Sequence, residues 1–383
     1  MPTSLRVALL VDPLTLRTKG GEHPPRLAEE LLGRGHVVRG FGAPPNVIPR
    51  SGEDPVMEEA GGTPLLRFRP DVVVAYDALS PAAMLGARTA RKLKAALVLV
   101  EADPPGGGRW YQRVLWRVGE LLWGRYVRRT AHALVALDPV ARRRALEKGF
   151  EPGRITILPY GVNLTRFRPG LTSRLVAQHH IRGRILLYTG RIELNRGLET
   201  LISAFARTVG QRHDWSLVLA GDGSARMRLR AMCDRLGVGA RVRWLARPRP
   251  EELPGLMGAS TLLAVPALED EVLGRQIARA MACGLPVLAS DLERLRFLVE
   301  PEATGLVAPP GDVTAWSEMI RRAAGSPMAR QRWGRNARRQ AEERLSWPHV
   351  AEAFEGILLD AVPVVPAAGS APSAETEEVP AEG

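Results

Sequence analysis

Two stretches of the chain hold side chains whose types and spacing suit chemistry on a phosphorylated substrate. In the first, Gly190 and Arg191 follow the aliphatic run ILLYT, and five residues further on Arg196 precedes Gly197. Arginine offers forked donors matched to phosphate oxygens, so two of them on a glycine-bounded loop are placed as a diphosphate clamp; the plainer reading is a pair of solvated loop arginines. In the second, residues 266–291 (PALEDEVLGRQIARAMACGLPVLASD), the acids Glu269, Asp270 and Glu271 stand before Gly274, and Ile277, Ala280, Met281 and Leu285 then recur at helical spacing. A helix N-terminus carries partial positive charge and unpaired N–H groups, which suits either those acids or a phosphate brought by a ligand. Gly221, Asp222 and Gly223 form a further glycine loop after an apolar run, and Gly20 and Gly21 follow the first apolar run of the chain. Such glycines bring backbone close to a ligand or simply make a turn; the dinucleotide-binding fingerprint is absent.

The elements that must position these residues are legible from runs without alternation, the mark of strands buried on both faces. Residues 6–11, 37–41, 71–75, 96–100, 133–137 and 155–158 read as strands, with helices over 24–33, 81–93 and 138–148 between them. After a Pro-, Gly- and Asn-bearing connector at 159–169, a second series reads as strands over 185–189, 216–220, 242–245, 261–265 and 287–290. Its helices fall at 198–208, 225–236, 250–257 (interrupted by Pro254), 273–285 and 314–324. The expected class is α/β, with two doubly wound Rossmann-like domains facing a cleft. The boundaries expected are 1–165 for an acceptor-side domain and 166–346 for a nucleotide-sugar-binding domain. A helix at 347–360 crosses back to the first domain, and a tail at 361–383, rich in Pro, Ala and Glu, is disordered.

Residues 109–129 (RWYQRVLWRVGELLWGRYVRR) hold three tryptophans and six arginines. Val114, Val118, Leu121 and Leu122 make one apolar face, and Trp116, Trp123 and Val127 a second, flanked by Arg113, Arg117 and Arg128. Two readings stand: a broad core helix with a solvated arginine edge, or one buried face and one face toward a membrane interface.

With 383 residues, 45% hydrophobic and 25% charged, the chain suits two globular domains. A net charge of +12 favours anionic partners: nucleic acid, a membrane surface or a phosphorylated substrate. Only 5% of the residues are aromatic, and zinc-finger spacing and aromatic RNA-binding signatures are lacking, so nucleic acid is disfavoured. Cys233 and Cys283 sit in apolar helical patterns without partners at metal spacing and read as buried thiols. No run reaches spanning length, so a cytoplasmic location is expected, peripheral to the inner face of the membrane if residues 109–129 touch it.

The order GG, RGH, LPYGVN with FRP, TGR with RG, LAGDG, AMACGLPVLASD, TGLVAPPGD and LSW, across residues 5–360, resembles the retaining family 4 glycosyltransferases of the GT-B fold. The resemblance implies a nucleotide-diphospho-sugar as co-substrate on the C-terminal domain, no metal or other cofactor, and an acceptor (glycan, lipid or small molecule) on the N-terminal domain. It implies retention of anomeric configuration, a diphosphate grip at Arg191 and Arg196, and Glu271 against the transferred sugar. Position 279, where the resemblance expects a ribose-binding glutamate, is Arg; the expected histidine at the end of the fourth strand falls on Ala102, between Glu101 and Asp103; an expected glycine pair falls on Glu293 and Arg294. Arg279 has two readings, a cation reaching a phosphate or acidic group and a member of a four-residue-step ladder with Glu271 and Arg275. The departures give the transferase an alternative, a catalytically inactive homologue that binds a sugar-phosphate compound or a partner protein. A nucleotide-sugar epimerase is a third reading.

Overall fold

The computed structural model describes residues 4–11, 23–42, 62–101, 118–210, 214–269 and 274–362. In the N-terminal half the chain runs β1 (Arg6–Leu10), α1 (His23–Gly33), β2 (Val37–Phe41), α2 (Gly62–Phe68), β3 (Val72–Tyr76), α3 (Pro81–Leu93) and β4 (Ala96–Glu101). A π turn at Glu120–Gly124 leads into α4 (Arg125–Thr130), then β5 (Ala133–Ala136), α5 (Pro139–Glu147) and β6 (Ile155–Ile157). The six strands pair in parallel in the order β2-β1-β3-β4-β5-β6. Every residue of β3 is buried, as are Ala96 to Val100 of β4, which is why these runs show no polar alternation. Ser80 and Asp138 start α3 and α5 by accepting the backbone N–H of Ala83 and Ala141, each just ahead of a proline at the first helical position.

The C-terminal half runs α6 (Arg174–Gln178), β7 (Arg184–Thr189), α7 (Leu198–Thr208), β8 (Trp215–Ala220), α8 (Arg226–Arg235), β9 (Val242–Leu245), α9 (Leu253–Gly258) and β10 (Leu262–Val265). It continues with α10 (Gly274–Ala282), β11 (Val287–Ser290), α11 (Glu293–Arg296), β12 (Gly305–Ala308), α12 (Val313–Gly325), α13 (Pro327–Arg344) and α14 (Trp347–Ala361). Its six parallel strands lie in the order β12-β11-β10-β7-β8-β9. Strand order reverses between β7 and β10 here and between β1 and β3 in the first sheet. At such points the loops diverge to opposite faces and leave a crevice beyond the carboxyl ends of the strands.

The structure corrects several details. Pro254 lies in the first turn of α9, where a missing N–H costs nothing, and does not interrupt the helix. The 18-residue helix α13 escapes the sequence reading because its arginines mask the buried line Arg330, Trp333, Gly334, Ala337 and Ala341. Arg330 is nevertheless useful inside: its guanidinium donates to the carbonyls of Ala323 and Ala324 at 2.5 and 2.7 Å, satisfying acceptors at the end of α12.

On the helix expected at 109–129, only residues from 118 onward are described, and among them the two apolar faces divide as read, the face of Trp123 and Val127 being the buried one. Val127 is fully buried and Trp123 packs against the same core, while Val118, Leu121 and Leu122 are 42%, 86% and 67% exposed. Trp123 Nε1 donates to the Leu79 carbonyl at 3.3 Å, and Gly119 and Gly124 press against residue 79, so the helix is docked along its tryptophan and glycine side. Both cysteines are buried thiols; burial pushes Cys233 up to about 11 and Cys283 to about 12.

After α13 the chain returns to the first half. Val350, Phe354 and Leu358 of α14 bury against α1 and the β1–β4 side of the N-terminal sheet. Glu355 binds Arg34 and, at 2.9 Å, His36. The two stretches that link the halves also bond to each other: Val162 N–H donates to the Leu345 carbonyl at 2.7 Å and Trp347 N–H to the Val162 carbonyl at 3.3 Å. Gly161 is required there, because a Cβ would stand 2.4 Å from the Trp347 ring.

Candidate active site between the two sheets

The loops at the switch point of the second sheet are held together by glycines. The loop after β7 carries Gly190, Arg191 and Arg196; the loop after β8 carries Gly221, Asp222 and Gly223; the segment after β10 leads through Pro266 to Gly274. A Cβ on Gly221 would lie 1.7 Å from the Gly190 carbonyl oxygen, one on Gly223 2.1 Å from that of Ile192, and one on Gly197 1.7 Å from that of Pro266. Gly197 has φ +68°, a left-handed conformation that L side chains rarely adopt. The glycines thus serve loop-to-loop contact first, and that contact carries Arg196 to the end of β10. Ile192 N–H donates to the Asp222 carbonyl at 2.8 Å, and the Tyr188 hydroxyl donates to the Arg191 carbonyl at 2.7 Å. Burial raises the Tyr188 pKa against the opposing pull of Arg196, so its proton stays in that bond.

Arg191 extends into solvent and pairs with Glu193 at 2.9 Å, while Arg196 is half-buried. Asp222 pairs with Arg226 at 2.9 Å, which leaves its backbone, rather than its carboxylate, facing the loop after β7. Gly274 opens α10, and its neighbour Arg275 places its guanidinium 5.9 Å from the Tyr160 ring of the first connector. Arg279 lies in the last turn of α10 with its guanidinium 5.3 Å from the Phe167 ring, a cation–π contact that neither sequence reading anticipates. Gly20, Gly21, Ala102, Asp270 and Glu271 lie outside the described residues, so the expected ladder from Glu271 is not described.

What brings the halves together is the carboxyl edge of each sheet. Asp138, which follows β5, pairs with Arg294, which follows β11, at 3.2 Å, and both side chains are buried. Arg143 on α5 pairs with Glu293. The two positions where glycines are expected from the resemblance therefore each carry an ion pair between the domains. Nearby, His23 at the start of α1 touches the Tyr76, Tyr160 and Trp347 rings edge-on at 5.4–5.8 Å, and its Nδ1 meets the Tyr76 hydroxyl at 2.9 Å. Burial, helped by the Arg275 charge, lowers the His23 pKa to about 3, so it is a neutral ring at physiological pH. Burial also pushes the Tyr160 hydroxyl up to about 12. Sequence reasoning missed this junction. Tyr160 was visible only as part of LPYG, and nothing adjacent in sequence marks His23.

At the end of β4, Glu101 is half-buried beside Asp77, whose N–H donates to the Val100 carbonyl at 3.0 Å. Desolvation, and then the Asp77 charge, pushes the Glu101 carboxyl up to about 7. Among the described residues, no group of three or more His, Cys, Asp or Glu side chains is arranged to hold a metal ion.

The comparisons fit this geometry. Residues 7–161 match the model of a glycosyl transferase 4-like domain and residues 176–340 that of glycosyl transferases group 1. A D-inositol 3-phosphate glycosyltransferase of Rhodococcus opacus is 30% identical over 213 residues, 53% of this chain and 47% of that protein. A GDP-mannose-dependent monoacylated alpha-(1-6)-phosphatidylinositol monomannoside mannosyltransferase of Corynebacterium glutamicum is 29% identical over 212 residues, 52% of this chain and 55% of the relative. The chain thus matches about half the length of these curated relatives. Among solved structures, Anabaena Alr3699/HepE in complex with UDP superposes with a TM-score of 0.70 over 93% of this chain and 100% of that one, at 18% identity, a likeness of fold.

Proposed function

We propose that the chain, whose halves match a glycosyl transferase 4-like domain and glycosyl transferases group 1 and share the GT-B fold, moves a sugar from a nucleotide-diphospho-sugar to an acceptor with retention of configuration. The observation that carries this reading is the glycine-stitched loop pair holding Arg196 at the β7–β10 switch point, opposite the carboxyl edge of the other sheet. In this reading Arg191 and Arg196 stabilise the charge that builds on the departing diphosphate, and the backbone N–H groups of Gly223 and Gly274 add to anion binding, whereas Gly190 and Gly221 donate theirs to the Ala220 and Leu245 carbonyls and serve by letting the loops approach. Glu271 orients the sugar, and Gly20 and Gly21 approach it from the first domain. Arg279, held over Phe167, can only donate, so it would meet a ribose hydroxyl through the hydroxyl's oxygen.

The acceptor binds on the N-terminal domain, near the junction of His23 and Tyr160. The names of the relatives suggest a phosphorylated polyol or a phosphoinositide-type lipid, and HepE's bound UDP supports a nucleotide donor. A lipid acceptor would suit a protein peripheral to the inner face of a membrane. Among the described residues no helix is long and apolar enough to cross one.

Calorimetric titration with a panel of nucleotide sugars tests the donor site. Binding to none of them would overturn it and favour the inactive-homologue reading. With a bound donor in hand, Arg196→Ala is expected to lower turnover at least 100-fold with an unchanged melting curve, the scale on which oxyanion-type donors act. Wild-type turnover in that variant would remove Arg196 from the clamp. Because the reading uses fixed cations and no metal, turnover in EDTA is expected to equal that in buffer. Loss of activity restored by a divalent ion would refute that.

A further inference from the structure

We propose that the cleft between the C-terminal turns of α3 and α4 is a phosphoryl-binding pocket that takes the headgroup of an anionic phospholipid and seats the flank of the N-terminal domain on a bilayer. This deepens the membrane-peripheral reading above and concerns a place well apart from the donor loops. The cavity, about 600 Å³, is lined by Arg91, Lys94, Arg129 and His132, with Tyr126 and Thr130 between them. Arg88 and Arg125 stand outside the lining, about one helical turn before Arg91 and Arg129 on α3 and α4. Neither α3 nor α4 contains an acid. Among the described residues none of Arg88, Arg91, Lys94, Arg125 and Arg129 has an ion-pair partner: Glu120 is taken by Arg128 and Lys148, and Glu151 by Arg154. Cations at helix C-termini are ordinary, because they offset the partial negative charge of the last carbonyls, but five cations on two converging helices exceed that charge and face no carboxylate partner among the described residues, which makes a site for an anion.

His132 supplies a neutral donor. Its Nδ1 accepts the Leu97 N–H at 3.1 Å, which puts the ring proton on Nε2, and burial with the Arg154 charge lowers its pKa. The source of the anion follows from what adjoins the pocket. Leu121 and Leu122 stand 86% and 67% exposed one turn before α4, at four-residue steps from Arg125 and Tyr126. The exposed leucines therefore lie along the same helix as the basic pocket, about 12 Å from Arg129 at 1.5 Å per residue. Apolar side chains beside a cationic hollow match an acyl-chain boundary beside its phosphates, whereas a soluble phosphate would leave the leucines without a role. The chain direction fits as well. α4 ends where β5 begins, so the pocket lies at the amino edge of the sheet and the leucines sit further back along the chain from that edge.

The test is flotation of the full chain with vesicles of phosphatidylglycerol and phosphatidylcholine against phosphatidylcholine alone, at low and high salt. Wild type is expected to float only with the anionic vesicles and to be released by salt. The variant R91A/K94A/R129A is expected to bind about 100-fold more weakly, on the scale of one anionic-surface contact per charge. A control, R332A/R335A/R339A, removes the same charge from exposed positions on α13 and is expected to float as wild type. L121S/L122S is expected to lose binding even at low salt. Equal loss in both arginine variants would overturn the pocket in favour of net charge alone, and retained binding in the pocket variant would overturn it outright. Calorimetric binding of inorganic phosphate at this pocket by a protein that does not float with the anionic vesicles would overturn the lipid as occupant. Donor titration of the same samples separates this from the transferase reading: a protein that floats yet binds no nucleotide sugar keeps the pocket and loses the enzyme.

Discussion

At the scale of single residues, position Glu101 shows how a strand end can set a titration. The parallel register of β3 and β4 puts Asp77 beside it, and the Lys148 and Arg128 charges only partly offset burial and that like charge. Its folded pKa of about 7 stands above the ordinary 4.5, so between those values the folded state holds more protons than the unfolded chain. Stability from this group is therefore present below about pH 4.5 and is lost as pH rises through 7. Glu101→Gln, which keeps the shape and removes the charge, is expected to raise the melting temperature at pH 8 and leave it unchanged at pH 4.5. Thermal melts at the two values check this, and an equal shift at both would assign the effect to packing. Arg279 makes the complementary point. Its charge was legible, but its partner, the Phe167 ring, is 112 positions away and could not be found by counting along a helix.

At the scale of elements, the donor side depends on backbone meeting backbone. Glycine loops read from sequence as ligand cradles are, in the structure, the places where two strand-end loops touch. Gly221→Ala forces a methyl group into the Gly190 carbonyl. It is expected to cost about 2 kcal/mol of stability, and to weaken donor binding more than substitution of the solvent-facing Asp222 side chain. Calorimetry on both variants decides it: a donor affinity in Gly221→Ala equal to that of wild type would show that the loop contact does not shape the site. The elements themselves were largely legible, because strands buried on both faces and helices opened by Ser–Pro or Asp–Pro carry local signals. α13 was not, since its apolar line is narrow and broken by an arginine that becomes useful only when α12 ends beside it.

At the scale of the whole molecule, two chain crossings and a few ion pairs fix how the sheets face each other. The Arg294–Asp138 pair is buried, and Asp138 also caps α5. Arg294→Ala leaves a carboxylate with less compensation and is expected to cost about 3 kcal/mol. It is also expected to loosen the domains, seen as an increased radius of gyration in solution scattering. Arg294→Lys is expected to recover part of both. A scattering profile unchanged by Arg294→Ala would show that the α14 docking and the Gly161–Trp347 contact alone hold the arrangement.

The sequence by itself determined the two α/β halves, the returning helix and the stretches that hold Arg191, Arg196 and Gly274, because each rests on hydrophobic period, capping or glycine placement within a few residues. Only the tertiary structure decided what Glu293, Arg294, Arg279 and His23 do. Their partners, Arg143, Asp138, Phe167 and the Tyr76, Tyr160 and Trp347 rings, come from distant parts of the chain. Ion pairs and ring contacts depend on distance in space, and that distance exists only once both sheets have formed and met at their carboxyl edges.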